Sequence, residues 1–149
     1  MDFYKSMNIS TSALTVNRLQ LNMISANLAN AHTTKTETGE PYRRKIVSII
    51  AKPVEDFQSV LDTEVKDNDK DKFFGVNVDE IYEDQTDFRQ VYNPAHPHAN
   101  EEGYVLMPNV NTVLEMTNLV VAKRSYEANV AAMNAAKSMA LKALEIGKT

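Results

Sequence analysis

The residues able to do chemistry in this 149-residue chain are few, and they lie in its middle. Asp67, Asp69 and Asp71 alternate as the first, third and fifth oxygen donors of a calcium loop do. Lys72 then stands where that loop needs a glycine, and Val78 where it needs a bidentate glutamate. A solvated, lysine-interleaved loop accounts for the segment. His96, Pro97 and His98, followed by Glu101 and Glu102, offer imidazole and carboxylate ligands, but without a cysteine or a helical HExxH spacing. They read as a loop whose prolines aim the chain. His32 completes a set of three histidines, and the four glycines form neither a phosphate cradle nor a nucleophile elbow. No acid, base and nucleophile set can be assembled. The expectation is a protein that is not an enzyme and carries no metal or other cofactor.

What remains informative is the pair of chain ends. Ile9, Val16, Met23 and Asn30 recur every seven residues, with Ser12, Leu19 and Ala26 between them in a 3-4 rhythm. That is an a/d seam. Leu14, Leu21 and Leu28 form a second stripe on another face, which one partner helix cannot cover. Near the other end Pro108 halts extended chain, Thr112 and Glu115 stand at capping-box spacing, and Gly147 follows the last periodic residue. A helix of about 35 residues, roughly 50 Å long, is expected between them. Its main stripe is Leu119, Ala122, Tyr126, Val130, Met133, Ala136, Ala140 and Leu144, while Ala128, Ala131, Ala132, Ala135 and Ala143 keep its other faces slim. A rod of this length needs a long partner.

Hydrophobic residues make up 43% of the chain, enough for one domain, yet about half of the sequence is committed to the helical ends. The independent core must be small. Cysteine is absent, which removes disulfides and thiolate ligands. No apolar run has the length of a signal peptide or of a bilayer span, so neither Sec-type export nor a direct membrane span is expected. Residues 1–52 carry 7 basic and 3 acidic side chains, 53–102 carry 4 and 14, and 103–149 carry 5 and 3. This polarity either orients neighbouring copies, ends against middles, or keeps the surface solvated. Nucleic-acid binding fits poorly, because the basic residues are scattered and lack aromatic platforms.

The middle reads as a turn-rich connector from Thr33 to Pro41, then a strand within Tyr42–Ala51. Val54–Leu61 reads as helix or strand, and Asp62–Lys72 as an exposed loop. Phe74, Val76, Val78 and Ile81 mark a second strand. Three prolines and Gly103 predict an irregular path between Tyr92 and Pro108.

The stretch from Ser12 to Lys45, SALTVNRLQLNMISANLANAHTTKTETGEPYRRK, resembles the N-terminus of flagellar axial proteins, in which an apolar helix ends in an ANLANANT-like motif. The element Pro41, Tyr42, Arg43, Arg44 and Lys45 narrows the resemblance to the proximal-rod family of flagellar basal-body rod proteins. Val91–Leu144, with Pro108 and Asn109, is similar to that family's C-terminal signature. His32 departs from the usual asparagine, and the charged stretch Asp62–Lys72 is not covered. The resemblance implies a mainly α fold with a small β-containing insertion. In it the two long terminal helices pair as a coiled-coil-like discontinuous domain, residues 1–32 and 109–149, around a connector and small acidic region, 33–108. It implies partners that are copies of the chain and other flagellar rod proteins, helical stacking into a torque-transmitting rod across the periplasm, and export through the flagellar type III apparatus. Ile9, Val16, Leu19, Met23, Asn27, Leu28, Asn30, Leu119, Tyr126, Val130, Met133 and Leu144 are the expected assembly interface. Another rod or hook-type axial protein, or an acidic metal-binding module, is the alternative.

Overall fold

A long helix needs a run free of proline and glycine, and this chain has such a run at each end. The computed structural model describes residues 3–53 and 73–147, with side chains from Lys5 onward. There the two runs form α1 (Phe3–Ala29) and α2 (Thr112–Ile146), of 27 and 35 residues. At 1.5 Å per residue they are rods of about 40 and about 50 Å. Four strands lie between them: β1 (Lys45–Pro53), β2 (Phe74–Glu83), β3 (Arg89–Tyr92) and β4 (Tyr104–Met107). The fold is mainly α with a small β part. The readings for Val54–Leu61 and Asp62–Lys72, Asp67, Asp69 and Asp71 included, fall outside the described residues.

Asparagine side chains set the helix ends. Below α1 the backbone amide and the side-chain Nδ2 of Asn30 both donate to the Ala26 carbonyl, at 3.1 and 2.9 Å, and Thr33 Oγ1 contacts Asn30 Oδ1 at 3.2 Å. At the start of α2, Asn111 Oδ1 accepts from the Val113 and Leu114 amides at 3.1 and 3.2 Å. Asn111 is therefore the N-cap. The capping box expected from Thr112 and Glu115 does not form, because Thr112 is already helical and the Glu115 carboxylate is engaged elsewhere.

β1 and β2 make one two-stranded sheet, and β3 and β4 another. The Asp84 amide donates to the Arg44 carbonyl at 2.8 Å, which sets the end of β2 beside the beginning of β1. β3 and β4 run antiparallel with Val91 opposite Val105 and Tyr92 opposite Tyr104. This hairpin replaces the irregular path expected between Tyr92 and Pro108. The prolines sit in its loop and beyond its end, so they remove no ladder hydrogen bond. Within the loop Asn93 donates to the Gly103 carbonyl at 2.9 Å, and Asn100 Oδ1 accepts the Glu102 and Tyr104 amides at 3.2 and 2.7 Å. Gly103 turns at φ 83°, and the Tyr92 and Tyr104 rings meet edge to face with centroids 5.3 Å apart.

The chain divides into two compact units. Unit one comprises residues 1–18, 49–79 and 124–149, and unit two comprises 19–48 and 80–123. In unit one Val16 and Ala136 are buried, and Ser12 Oγ donates to the Ile9 carbonyl while accepting the Val76 amide at 3.1 Å, tying α1 to β2. In unit two the buried apolar residues are Ala31, Val105, Val110 and Ala122. These are small side chains, so apolar burial alone holds unit two weakly.

A methyl group at Gly103 would lie 2.9 Å from Tyr92 Cε2 and 3.2 Å from Pro94 Cβ, on a backbone that disfavours any L side chain. At Gly39, φ 87°, the added atom would meet open space. Gly39→Ala should therefore lose about 1–2 kcal/mol from backbone strain alone, and Gly103→Ala should lose more in urea unfolding. Equal losses at the two positions would remove the steric part of this account.

Candidate functional site

The beginning of β1, the end of β2 and the ends of both helices are joined in unit two by one buried polar cluster. Its centre is Glu115, one turn inside α2 and 1% exposed. A carboxylate taken out of water needs charge and hydrogen bonds in compensation. Arg44 supplies both, with Nε at 2.8 Å and Nη2 at 2.7 Å from Glu115 Oε1. Oε2 accepts from Asn27 Nδ2 at 3.1 Å.

Asn27, also 1% exposed, uses its whole hydrogen-bonding capacity inside the chain. Nδ2 donates to the Lys45 carbonyl at 2.9 Å as well as to Glu115, and Oδ1 accepts from the Lys45 amide at 2.9 Å and the Tyr42 hydroxyl at 3.0 Å. Sequence reading places Asn27 on the assembly interface. In the structure it is an internal hub, because no polar atom of its side chain is left to offer a neighbour. Asn109 repeats the arrangement one step outward: Oδ1 accepts the Arg44 amide at 2.8 Å, and Nδ2 reaches the Asp84 carbonyl at 2.9 Å and Thr86 Oγ1 at 3.0 Å.

The cluster perturbs its own titratable members. Burial, then the charges of Glu83 and Glu115, push the Tyr42 phenol above its ordinary range. Asp84 is held below the ordinary carboxylate value of 3.8, first by the Thr86 backbone amide, against some desolvation, and then by the Thr86 hydroxyl and Arg44. Arg44 Nη1 lies 3.5 Å from Asp84 Oδ2. Arg43 points another way, over the Phe88 ring at 4.3 Å. Pro41 and Pro108 are buried, while the Lys45 side chain is exposed.

Along α1, Val16 is buried and Ile9, Leu19, Met23 and Leu28 are half-buried, as is Asn30 just beyond its end. On α2 the expected stripe is the covered face: Leu119 is half-buried and Ala122 buried in unit two, and Val130, Met133 and Ala140 are half-buried with Ala136 buried in unit one. Tyr126 and Leu144 are exposed. Sequence reading missed Glu115 as a member of that face. The signal was present, since Glu115 precedes Ala122 by seven residues and so stands in the heptad phase of the stripe. It also missed a bare side of the same helix, where Val113, Met116, Val120 and Val121 in unit two are exposed by 73, 58, 52 and 59%. In unit one Met139, Leu141, Leu144 and Ile146 are exposed around the last turns.

Among the described residues no group of three or more histidine, cysteine, aspartate or glutamate side chains is placed to hold a metal ion, and no helix is long and apolar enough to cross a membrane. An open depression of about 480 Å³ at the start of α2 is lined by Ala31, His32, Arg89, Pro108, Asn109 and Val113, among others, with no acid, base and nucleophile set around it.

Family models match both ends of the chain: "Flagella basal body rod protein" over residues 7–35 and "Flagellar basal body rod FlgEFG protein C-terminal" over residues 101–146. The flagellar basal-body rod protein FlgC of Bacillus subtilis (strain 168) is 49% identical over 152 residues, covering 99% of this chain and 100% of the relative. The FlgC proteins of Borreliella burgdorferi and Escherichia coli O157:H7 are 38 and 39% identical, over 98 and 95% of this chain and the same shares of the relatives. The chain belongs to the flagellar basal-body rod protein FlgC family. As a member it is a structural subunit of the flagellar basal-body rod. Both matched ends of this FlgC-family chain contribute to the buried cluster, Asn27 from one and Glu115 from the other.

Removing Glu115 strands the Arg44 guanidinium, 21% exposed, beside a half-satisfied Asn27. Glu115→Ala should cost about 3–5 kcal/mol, whereas Thr112→Ala should stay within about 0.5 kcal/mol. Similar small losses in denaturant unfolding would return Glu115 to a capping role. Asp84 sets an acid limit. Its folded value lies below 3.8, so the stability it adds is present above that value and is lost as pH falls through the lower, folded one. Asp84→Asn should flatten the stability-against-pH profile on the acid side of pH 4, and an unchanged acid limb would exclude Asp84 from it.

Proposed function

We propose that this chain is a building block of the proximal rod that stacks helically with copies of itself and with other rod proteins, and transmits torque without catalysing a reaction. In this reading residues 1–32 and 109–149 form the inner helical domain, and 33–108 form a connector and small acidic region outside it. Export through the flagellar type III apparatus to a rod crossing the periplasm is the route that the family resemblance implies.

One observation carries the assembly reading: in the first turns of α2, Glu115, Leu119 and Ala122 are covered while Val113, Met116, Val120 and Val121 are exposed. At about 100° per residue these four occupy the side of the helix opposite the covered stripe. A helix apolar on two sides buries one inside its own chain and leaves the other for an added element, here a helix of a neighbouring subunit. Tyr126 and Leu144, in the heptad phase of the covered stripe and within unit one, are exposed as well. Val16, Leu19, Met23, Leu28, Val130 and Met133 are buried or half-buried, each within its own unit, and Ile9 and Asn30 are half-buried.

Two substitutions separate folding from assembly. Val120→Asp adds a charge at a position 52% exposed, so the isolated subunit should keep its stability within about 0.5 kcal/mol while rod assembly and swimming fail. Val130→Asp puts the charge on the covered face and should reduce stability as well as assembly. Normal swimming with Val120→Asp would take this face of α2 out of the interface.

A further inference from the structure

The loop between β3 and β4 touches the connector after α1 at one place in unit two, where Thr34 Oγ1 and His98 Nδ1 lie 2.8 Å apart. Two residues back, His96 Nδ1 accepts the backbone amide of His98 at 3.1 Å, and the two rings meet edge to face with centroids 5.4 Å apart. The turn is further shaped by the His96 amide donating to Asn93 and the Ala99 amide donating to His96, at 3.1 and 3.0 Å.

These two histidine contacts answer a proton differently. A threonine hydroxyl donates or accepts, so the Thr34 contact survives a change of His98 protonation by rotating one hydrogen. A backbone amide only donates. The His96 contact therefore requires an unprotonated Nδ1, and an imidazolium would set one N–H against another. His96 then has to leave the turn, and the ring that holds His98 edge-on leaves with it. Imidazoles as a class take up a proton in the neutral to mildly acidic range. Lys35 and Glu37 on the connector and Glu101 and Glu102 on the loop are exposed and form no ion pair among the described residues.

We propose that His96 is the proton-sensitive element of a clasp that fastens the 93–103 loop to the connector at Thr34, closed while its ring is neutral and opened by acid. Opening leaves the hairpin intact, because the bond from Asn93 to Gly103 and the Asn100 side chain that receives the Glu102 and Tyr104 amides contain no histidine. The connector also keeps its own closure through Tyr42 donating to the Thr33 carbonyl at 3.1 Å. The clasp thus frees one loop from one connector without touching the buried cluster around Glu115.

Amide-resolved NMR on the whole chain between about pH 7.5 and about pH 5 reads this directly. As the His96 ring protons titrate, His98 amide exchange, corrected for its intrinsic pH dependence, should accelerate about five- to tenfold, and the proximity of Thr34 to the His98 ring should weaken. Glu102 and Tyr104 amides should hold. His96→Asn keeps a side-chain acceptor two residues before the His98 amide but cannot take up a proton, so it should retain the turn and abolish its pH dependence. A His98 amide indifferent to His96 titration, an equal response in His96→Asn, or loss of the Tyr104 amide in the same step would each overturn the clasp.

Discussion

The helix ends and the adjoining ends of β1 and β2 in unit two are arranged around a carboxylate that water does not reach. Glu115 sits in the covered stripe of α2 where an apolar residue would otherwise stand, and burial of a lone charge there is untenable. Arg44 and Asn27 make it tenable, and in doing so they bring together segments separated by 71 and 88 positions in sequence. A directional contact of this kind specifies register more sharply than apolar contact does, because a guanidinium held at 2.7 and 2.8 Å tolerates no slip by a turn of helix. The small size of Ala31, Val105, Val110 and Ala122 makes the dependence stronger. Little apolar volume is present to hold the helix ends and strands if the polar cluster fails.

The same economy of apolar burial leaves one side of α2 covered and another bare within unit two. On the covered side of α2 small and medium residues approach the rest of the chain closely; on the bare side Val113, Met116, Val120 and Val121 remain in solvent. In the assembly proposed above, a rod subunit carries such a side as half of an interface.

The β part has a separate logic. The β3–β4 hairpin is closed by paired aromatic rings and by a glycine with a left-handed backbone, and its loop is shaped by asparagine and histidine side chains acting on nearby amides. These are short-range devices, and they leave the loop's attachment to the connector dependent on a few exposed contacts. Strong contacts in the interior and weak ones at the loop divide the unit into a part that fixes geometry and a part that can respond to its surroundings.

Much of this was legible in the residues themselves. Two proline- and glycine-free runs with apolar repeats determined the two helices, a β-branched run marked β1 and near-alternation marked β2, and the chain-end motifs pointed to the family. The covered stripe of α2 from Leu119 to Ala140 also followed from periodicity, because a repeat of seven maps directly onto one side of a helix. Periodicity does not say which of two apolar sides the chain itself covers, so Val113, Met116, Val120 and Val121 emerged only in three dimensions. Nor does a local pattern reveal a distant partner: Thr112 and Glu115 have the spacing of a cap, but Asn111 takes that role and Glu115 turns to Arg44. Likewise the prolines near β3 argued for irregular chain until Tyr92 met Tyr104 and the ladder formed around them. Local chemistry determined which elements form, and long-range pairing of charges, amides and rings decided how their side chains are used, since a sequence orders residues along one dimension while burial and hydrogen-bond partners are settled in three.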